Sequence, residues 1–376
     1  MSKRLDRRAE LERAAAAVSL EGAWDVIVCG GGAAGLAAAI AAAEQGARTA
    51  VVEGALECGR SILATGGGRC NFANRALEPG RYNDPAFVEA VCGDAFLGDV
   101  LEFFRASGLA WTEEDGRLYP MSLSAASVRD VLLARAERAG AVLACGRRVE
   151  RVEPGAVITS RERIDARSAI IACGGGALPD LPLASRPAQP VLCPLSCEGL
   201  PFDELDGRRV RAEVALVRDG AEIARERGEV LFRGYGLSGI VIFDLSRAAC
   251  AGDDLVLDLA PDLDADKFAY LVDRAGGSAA GIIDPLVAAV LGARKNVSAR
   301  VLGAAETSHA QVSRGGLATS QFDPATLMAP SHPGLFACGE ALDIDGACGG
   351  FNLAWAWKSG MVAGRAAAAW AFEVAR

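Results

Sequence analysis

Asp25-Val-Ile-Val-Cys29 runs directly into Gly30-Gly31-Gly32-Ala33-Ala34-Gly35 and then into the alanine-rich stretch Leu36–Glu44, closed by Gly46. The apolar run, led by β-branched residues, reads as a buried parallel strand, and the alanines as a helix. Gly30 permits the tight turn, Gly32 lets the main chain approach a pyrophosphate, and Gly35 lets the helix lie close on the strand. Amides of the first helical turn, from Ala33 and Ala34 onward, then face the pyrophosphate, where the helix dipole favours negative charge. A second strand, Arg48–Glu53, ends in a carboxylate followed by Gly54. It falls about twenty residues on, where a Rossmann fold needs an acceptor for a ribose hydroxyl. Glycines alone are weak evidence. Strand, glycines, helix, strand and terminal acid in this order predict a dinucleotide site.

The rest of the composition narrows the class. A chain of 376 residues, 51% hydrophobic with 44 glycines, has enough apolar material for two or three ordered domains. A formal net charge of −9 argues against a broad nucleic-acid-binding face. Eleven cysteines without a Cys-x-x-Cys or zinc spacing read as reduced thiols of a cytoplasmic enzyme. With only His309 and His332, a histidine-based metal site or triad is not expected, and no metal is assigned. No run reaches the roughly 18–20 uncharged apolar residues of a membrane span. Residues 1–24 lack an apolar signal core and read as an N-terminal extension, a loosely docked helix in preference to a frayed tail.

Beyond Glu53, Cys58-Gly-Arg-Ser-Ile-Leu-Ala-Thr-Gly-Gly-Gly-Arg-Cys-Asn71 is too rich in glycine for a helix or strand interior. It reads as a loop wrapped against an extended ligand, with Arg60 or Arg69 as charge partners. Residues 84–109 carry one apolar helical stripe. Trp111–Pro120 reads as a short hairpin or loop, and Ser124–Ala139 as a helix that serines could cap. Strands follow at Ala141–Cys145 and Arg148–Val152. Gly155–Thr159 with Arg163–Ile164 reads as a hairpin, and Ser168–Cys173 as a buried strand ending in Gly174-Gly-Gly176. This last strand would complete the parallel sheet beside the first glycine turn, where open α/β sheets bind ligands.

Prolines at 179, 182, 187, 190 and 194 mark a boundary. Arg209–Arg218 and Gly228–Phe232 alternate with period two around a turn at Asp219-Gly220, so antiparallel β structure is expected. Residues 264–305 lose the alternation and read as short helices. The C-terminal part returns to the first domain. Gly334–Glu340 is a short buried strand ending in Gly339-Glu340, and Asp343–Leu353 is a second glycine loop feeding a helix from about Ala354 to Glu373. That helix start aims the amides of Gly349, Gly350, Phe351, Asn352 and Leu353 at something electron-rich. In a flavoprotein this would be the N1–C2=O edge of the isoalloxazine, with Glu340 reaching the ribityl chain. Trp355 and Trp357 read as packing.

These blocks together resemble the BaiN/YhiN-like family of FAD-dependent oxidoreductases, also labelled aminoacetone-oxidase-like, from about Asp25 to Gly364. The resemblance rests on Gly30–Gly35 with Glu53, Gly59-Arg60 with Gly66–Asn71, Gly228–Phe232 with Gly236–Gly239, Gly315-Gly316, Gly334–Glu340 and Leu342–Asn352. It implies an α/β fold: a Rossmann-type FAD-binding domain (25–185 and 323–376) interrupted by a mainly antiparallel β lobe (186–258 and 306–322). That lobe would carry a small helical subdomain (259–305). It further implies FAD contacts at Gly30, Gly32–Gly35, Glu53, Gly54, Arg60, Ser61, Gly67, Gly68, Arg69, Cys70, Asn71, Val149, Ala172, Cys173, Gly174, Gly339, Glu340 and Gly349–Leu353.

Two departures stand out. Ala177–Pro190 is short and proline-rich where the family has a longer Gly/Ser/Thr-rich loop, and the helical subdomain is abbreviated. No second Gly-x-Gly-x-x-Gly follows Gly174–Gly176, so NADH or NADPH would dock only transiently as reductant. Family members reduce activated C=C bonds, steroid-type enones in one branch and a uridine of ribosomal RNA in another. The acidic balance points to a small-molecule substrate. RNA modification would instead require a basic strip from Arg208, Arg209, Arg211, Arg294, Lys295 and Arg300. An oxygen-using amine oxidase and a non-enzymatic flavin scaffold are the other readings. No catalytic acid is assigned. Tyr235, Asp345 and His309 lie near glycine loops, and Cys70 reads as a loop residue packed under the flavin.

Overall fold

The computed structural model describes residues 2–306 and 312–376, so His309 lies outside the described residues. The chain divides into two compact units, Met1–Gln189 with Ser313–Arg376, and Pro190–Val312.

The first unit is built on a parallel sheet in the order Val142–Ala144, Thr49–Val52, Trp24–Cys29, Arg163–Ile171, Leu335–Ala337. Its two inner strands, Trp24–Cys29 and Thr49–Val52, are almost wholly buried, which is why their sequences run apolar instead of alternating. Arg163–Ile171 is one continuous strand where a hairpin arm and a separate strand were expected. Its first half pairs antiparallel with Ala156–Thr159. From Ala166 to Ile171 it pairs parallel with Trp24–Cys29. Helix Ala33–Ala43 and the long helix Phe351–Glu373 pack on this sheet. The expected single helix over 84–109 is two, Pro85–Cys92 and Phe96–Ala106, broken at Gly93 with φ 59°. Helix Ala125–Arg138 starts at Ser124, but no side-chain cap bond forms there.

The N-terminal helix, Ser2–Ala17, is tethered by the buried Arg147. That guanidinium donates to the carbonyls of Ala15 (2.9 Å) and Val18 (2.6 Å).

The second unit is a closed six-stranded barrel: Leu195–Glu198, Gly236–Ser238, Ala221–Arg233, Arg209–Arg218, Asp254–Asp258 and Asn296–Ala304. Asn296–Ala304 corrects the expectation of helices throughout 264–305. Val297, Ala299 and Val301 point inward and Ser298, Arg300 and Leu302 outward, so the strand closes the barrel against two others. Val214, Phe232, Leu237 and Leu257 help to fill the interior, as in small barrels generally. Two short helices, Ala265–Arg274 and Pro285–Leu291, bury Phe268, Val287 and Leu291 against the same core.

Candidate dinucleotide site

The turn after Trp24–Cys29 is glycine for steric reasons. Gly30 has φ 113°, and a β-carbon there would fall 2.6 Å from the Ala172 carbonyl oxygen and 2.8 Å from the Cys173 α-carbon. At Gly35 it would fall 1.9 Å from the Gly30 carbonyl oxygen. The two glycines therefore let the helix, the turn and the end of strand Arg163–Ile171 share one small volume. Gly32 is the N-cap of helix Ala33–Ala43 and has no side-chain cap. The amides of Ala33, Ala34 and Gly35 are thus left without an intrahelical partner. A β-carbon on Gly32 would lie 3.3 Å from the Ser61 hydroxyl oxygen.

Glu53 is fixed at this turn. Its carboxylate accepts the Gly31 N–H at 2.7 Å and the Ala55 N–H at 2.6 Å, leaving each oxygen a second lone pair. Gly54 is exposed beside Arg148, where a β-carbon would sit 3.6 Å from the Arg148 α-carbon. Val149, next along, begins the strand paired with Thr159. The turn, Glu53, Gly54, Ser61, Ala172 and Cys173 thus cluster at one corner of the sheet, with Val149 one residue beyond Arg148.

The second glycine loop is braced just as firmly. Gly350 has φ 99°, and a β-carbon there would meet the Ala73 carbonyl at 2.6 Å and Asn71 Oδ1 at 2.8 Å. Asn74 donates to the Gly349 carbonyl (2.8 Å), and the Tyr82 hydroxyl to the Phe351 carbonyl (2.8 Å). Asn352 turns back on the loop: Oδ1 accepts the Gly346 N–H at 2.7 Å and Nδ2 donates to the Gly346 carbonyl at 2.9 Å. Its side chain holds the loop's shape. Helix Phe351–Glu373 also starts without a side-chain cap. Trp357 donates to the Phe72 carbonyl and Trp355 to the Gly339 carbonyl, both at 3.0 Å, so each indole ties a loop to the helix. Ser359 accepts the Gly339 N–H at 2.9 Å. Asn74, Tyr82 and Ser359 were not singled out from sequence, because their partners lie far along the chain.

Beside the second loop lies an unanswered acceptor. Asn71 is buried, and its Oδ1 has no hydrogen-bond partner. Cys70 beside it is buried with φ 57°, a strained conformation for a residue with a β-carbon. Burial pushes its thiol up to about 11. Gly67 and Gly68 are exposed, with nothing within 4 Å of an added β-carbon. Arg69 pairs with Glu114 at 2.5 Å and stacks over Tyr119. Arg60 is exposed at the start of helix Arg60–Leu63.

The two helix starts share one side of the molecule. A β-carbon on Gly360 would fall 2.4 Å from the Ala34 carbonyl oxygen, and one on Gly364 2.2 Å from that of Ala38. Positions 360 and 364 thus lie over 34 and 38, so the two helices run the same way in backbone contact. Phe351 precedes Gly360 by nine residues and Ala33 precedes Ala34 by one, which offsets the two starts by about 12 Å. An elongated cradle results, uncapped helix amides at both ends and an orphaned acceptor beside one of them. It fits a dinucleotide with a diphosphate at one end and an aromatic ring system at the other.

Glu340 and the loop that follows strand Arg163–Ile171 lie together. Gly339 has φ 62°, and a β-carbon there would sit 2.6 Å from that of Ala34. One on Gly175 would sit 2.9 Å from the Glu340 carbonyl oxygen. Gly174 (φ 77°) has free space around it, and burial pushes the Cys173 thiol up to about 12. Burial also pushes the Glu340 carboxyl up to about 7, helped by the nearby Asp345 and opposed by the Ser313 amide. Asp345 is fully buried and takes both arms of Arg314, at 2.7 and 3.0 Å. Tyr235, in the barrel unit, has a buried hydroxyl with no hydrogen-bond partner. Among the described residues no cluster suited to a metal ion occurs, and no helix is long and apolar enough to cross a membrane.

A profile of the HI0933-like protein Rossmann domain matches residues 24–366. The 3-dehydro-bile acid delta(4,6)-reductase of Clostridium scindens is 32% identical over 91% of this chain and 98% of its own. The ribosomal RNA dihydrouridine synthase of Escherichia coli K12 is 27% identical over 89% of this chain and 96% of its own. Its counterpart in Haemophilus influenzae is 24% identical over 89% and 96%. A match across nearly the whole chain, on a fold with the glycine turn and acid in register, places this chain in the HI0933-like family of FAD-dependent oxidoreductases.

Proposed function

We propose that the first unit holds FAD and that the protein reduces an activated C=C bond in a small molecule, with NADH or NADPH as transient donor. The observation carrying this reading is the pair of uncapped helix starts, offset by about 12 Å along parallel helices. When bound, FAD supplies hydride exchange at its N5. The chain's part is to bind and orient. Amides of Ala33–Gly35 receive the diphosphate, and the free lone pairs of Glu53 accept ribose hydroxyls. The amides of Gly350–Leu353 face the pyrimidine edge, where negative charge grows on reduction. The orphaned Asn71 Oδ1 accepts a ring or ribityl donor, and Glu340 bonds the ribityl chain.

The relative at 32% identity, named for reduction of a bile acid, supports a steroid-type or other conjugated enone. Uridine reduction in ribosomal RNA is the second reading, supported by the two dihydrouridine synthases. The barrel surface speaks against it. Arg209 pairs with Glu229, Arg300 with Asp254, and Lys295 with Asp258, so half of the six candidate basic residues are already matched by acids. The deciding experiment is an absorption spectrum of the purified protein, then anaerobic NADH and NADPH titration with enone acceptors. A yellow protein, bleached by a nicotinamide and recoloured by an enone, is expected. A protein that takes up no FAD overturns the proposal. Recolouring only by uridine-containing RNA would move it to the second reading.

A further inference from the structure

Two thiols face one another behind the glycine turn. The sulfurs of Cys58 and Cys145 are 3.6 Å apart, in hydrogen-bond contact, although 87 positions separate them in sequence. The framework holding them is tight. Ala144 accepts the Glu53 N–H at 3.0 Å, Gly146 donates to the Ala55 carbonyl at 2.7 Å, and Arg147 donates to the Glu53 carbonyl at 2.9 Å. Cys58 is buried directly beneath the turn: a β-carbon on Gly31 would fall 2.4 Å from its sulfur. The next residue, Gly59, donates to the Gly31 carbonyl at 2.7 Å. Cys145 is only half-buried, whereas Cys58 is buried.

We propose that Cys58 and Cys145 form a redox-active dithiol that closes to a disulfide and thereby weakens the hold of the Gly30–Gly35 turn on its dinucleotide. The second half of this proposal rests on the FAD reading above; the first half does not.

The chemistry follows from the environment of each sulfur. The hydrogen bond from Cys58 favours the Cys145 thiolate and lowers its pKa. Burial and the Glu53 and Glu57 carboxylates oppose this, while Cys58 is pushed up by the same hydrogen bond and by burial. Cys145, more accessible and more acidic, therefore reacts first. With hydrogen peroxide as oxidant, its thiolate attacks one peroxide oxygen. An S–O bond forms, the O–O bond breaks, and hydroxide leaves to take a proton as water. Cys58 sulfur then attacks the sulfenic sulfur. The S–S bond forms, the S–O bond breaks, and the hydroxyl leaves as a second water with the Cys58 proton. Two thiols lose two electrons, and one peroxide becomes two waters. A small dithiol reverses the change by exchange.

An S–S bond of about 2.05 Å requires the sulfurs to approach by about 1.5 Å. Cys58 lies one residue before Gly59 and directly under Gly31, so part of that movement passes into the turn that Glu53 also grips. Cys29, Cys173 and Cys338, at the strand ends, are pushed up by burial with no acidifying neighbour, so they do not compete as nucleophiles. The exposed Cys250 is the expected background site.

The test uses the full chain, freed of flavin and reduced, then treated with one equivalent of hydrogen peroxide. Non-reducing peptide mass mapping should find a Cys58–Cys145 cross-link, lighter by two hydrogens and reopened by dithiothreitol. Titration of FAD by quenching of its fluorescence should show binding weakened on the order of tenfold in the oxidised protein and restored on reduction. Cys145→Ala should bind FAD like the reduced wild type with or without peroxide. Oxidation of Cys145 to sulfinic acid without a cross-link overturns the dithiol, whatever the flavin does. Equal FAD affinity in the two redox states overturns the coupling. A reduced protein that binds no FAD defeats the flavin reading and the coupling with it, while the mass map still decides the dithiol.

Discussion

Gly360 meets Ala34 with no room between them for a side chain: a β-carbon on Gly360 would stand 2.4 Å from the Ala34 carbonyl oxygen. This single contact sets how close two helices lie, and their starts form the two ends of the proposed FAD cradle. Gly364 repeats the arrangement one turn later over Ala38.

Gly360→Val should therefore act on two measurements at once. The added methyls meet main chain, which cannot rotate away, so the helices must separate. Overpacking of this kind costs about 1–3 kcal/mol, readable as a lower urea midpoint without FAD. FAD affinity should fall as well, because the offset between the two amide clusters changes. A variant that unfolds at the wild-type midpoint would show that the helices adjust freely here.

Glu53 carries a different kind of load. Its two oxygens hold the amides of Gly31 and Ala55 and still offer lone pairs to a ribose. Glu53→Gln puts an amide NH2 against one of those N–H donors and removes the charge from the other bond. Charge-assisted hydrogen bonds are worth about 1.5–3 kcal/mol, so FAD affinity should weaken by about tenfold or more. Fluorescence titration measures this. Unchanged affinity would mean the carboxylate only shapes the turn.

Asn71 makes the converse prediction. A buried acceptor without a partner costs about 1–3 kcal/mol, and that cost exists only while no ligand donates to it. Asn71→Leu keeps the size and removes the acceptor. Without FAD the variant should be as stable as the wild type or more so; FAD binding should weaken about fivefold or more. Stabilisation by added FAD, measured as the shift in Tm, should shrink accordingly. A full-sized shift would mean that Oδ1 makes no bond to the ligand.

Sequence order alone made the first turn legible, because Gly30, Gly35 and Glu53 act through neighbours at fixed spacing. The second glycine loop was legible for the same reason. What holds the two together was not. Gly360 and Gly364 sit inside an otherwise ordinary helical pattern, and the cause of each is a carbonyl at the other end of the chain. Asn74, Tyr82 and Trp357 likewise bond main-chain groups that no local pattern connects to them. Asn296–Ala304 was missed as a strand although its inward residues alternate. Its outward Ser298 and Arg300, following two helix-like runs, hid the period, and only pairing with Asp254–Asp258 and Leu195–Glu198 makes it a strand. The Ser124 hydroxyl shows the opposite error, a capping residue type at a helix start that forms no cap.

Glu340 gives the pH dependence. Its carboxyl titrates near 7 in the folded protein against an ordinary value of 4.5, because burial disfavours the charge. The folded state therefore binds more protons than the unfolded chain between those values, and stability falls as pH rises through that window. The difference amounts to about 3 kcal/mol, fully present below pH 4.5 and lost by pH 7 and above. Glu340→Gln, neutral at every pH, should flatten this part of the profile and be the more stable protein at the alkaline end, measured by urea unfolding without FAD. Should the wild type and Glu340→Gln profiles run parallel from pH 5 to pH 8, Glu340 would have to be ionised throughout, and its carboxylate would meet the ribityl chain already charged.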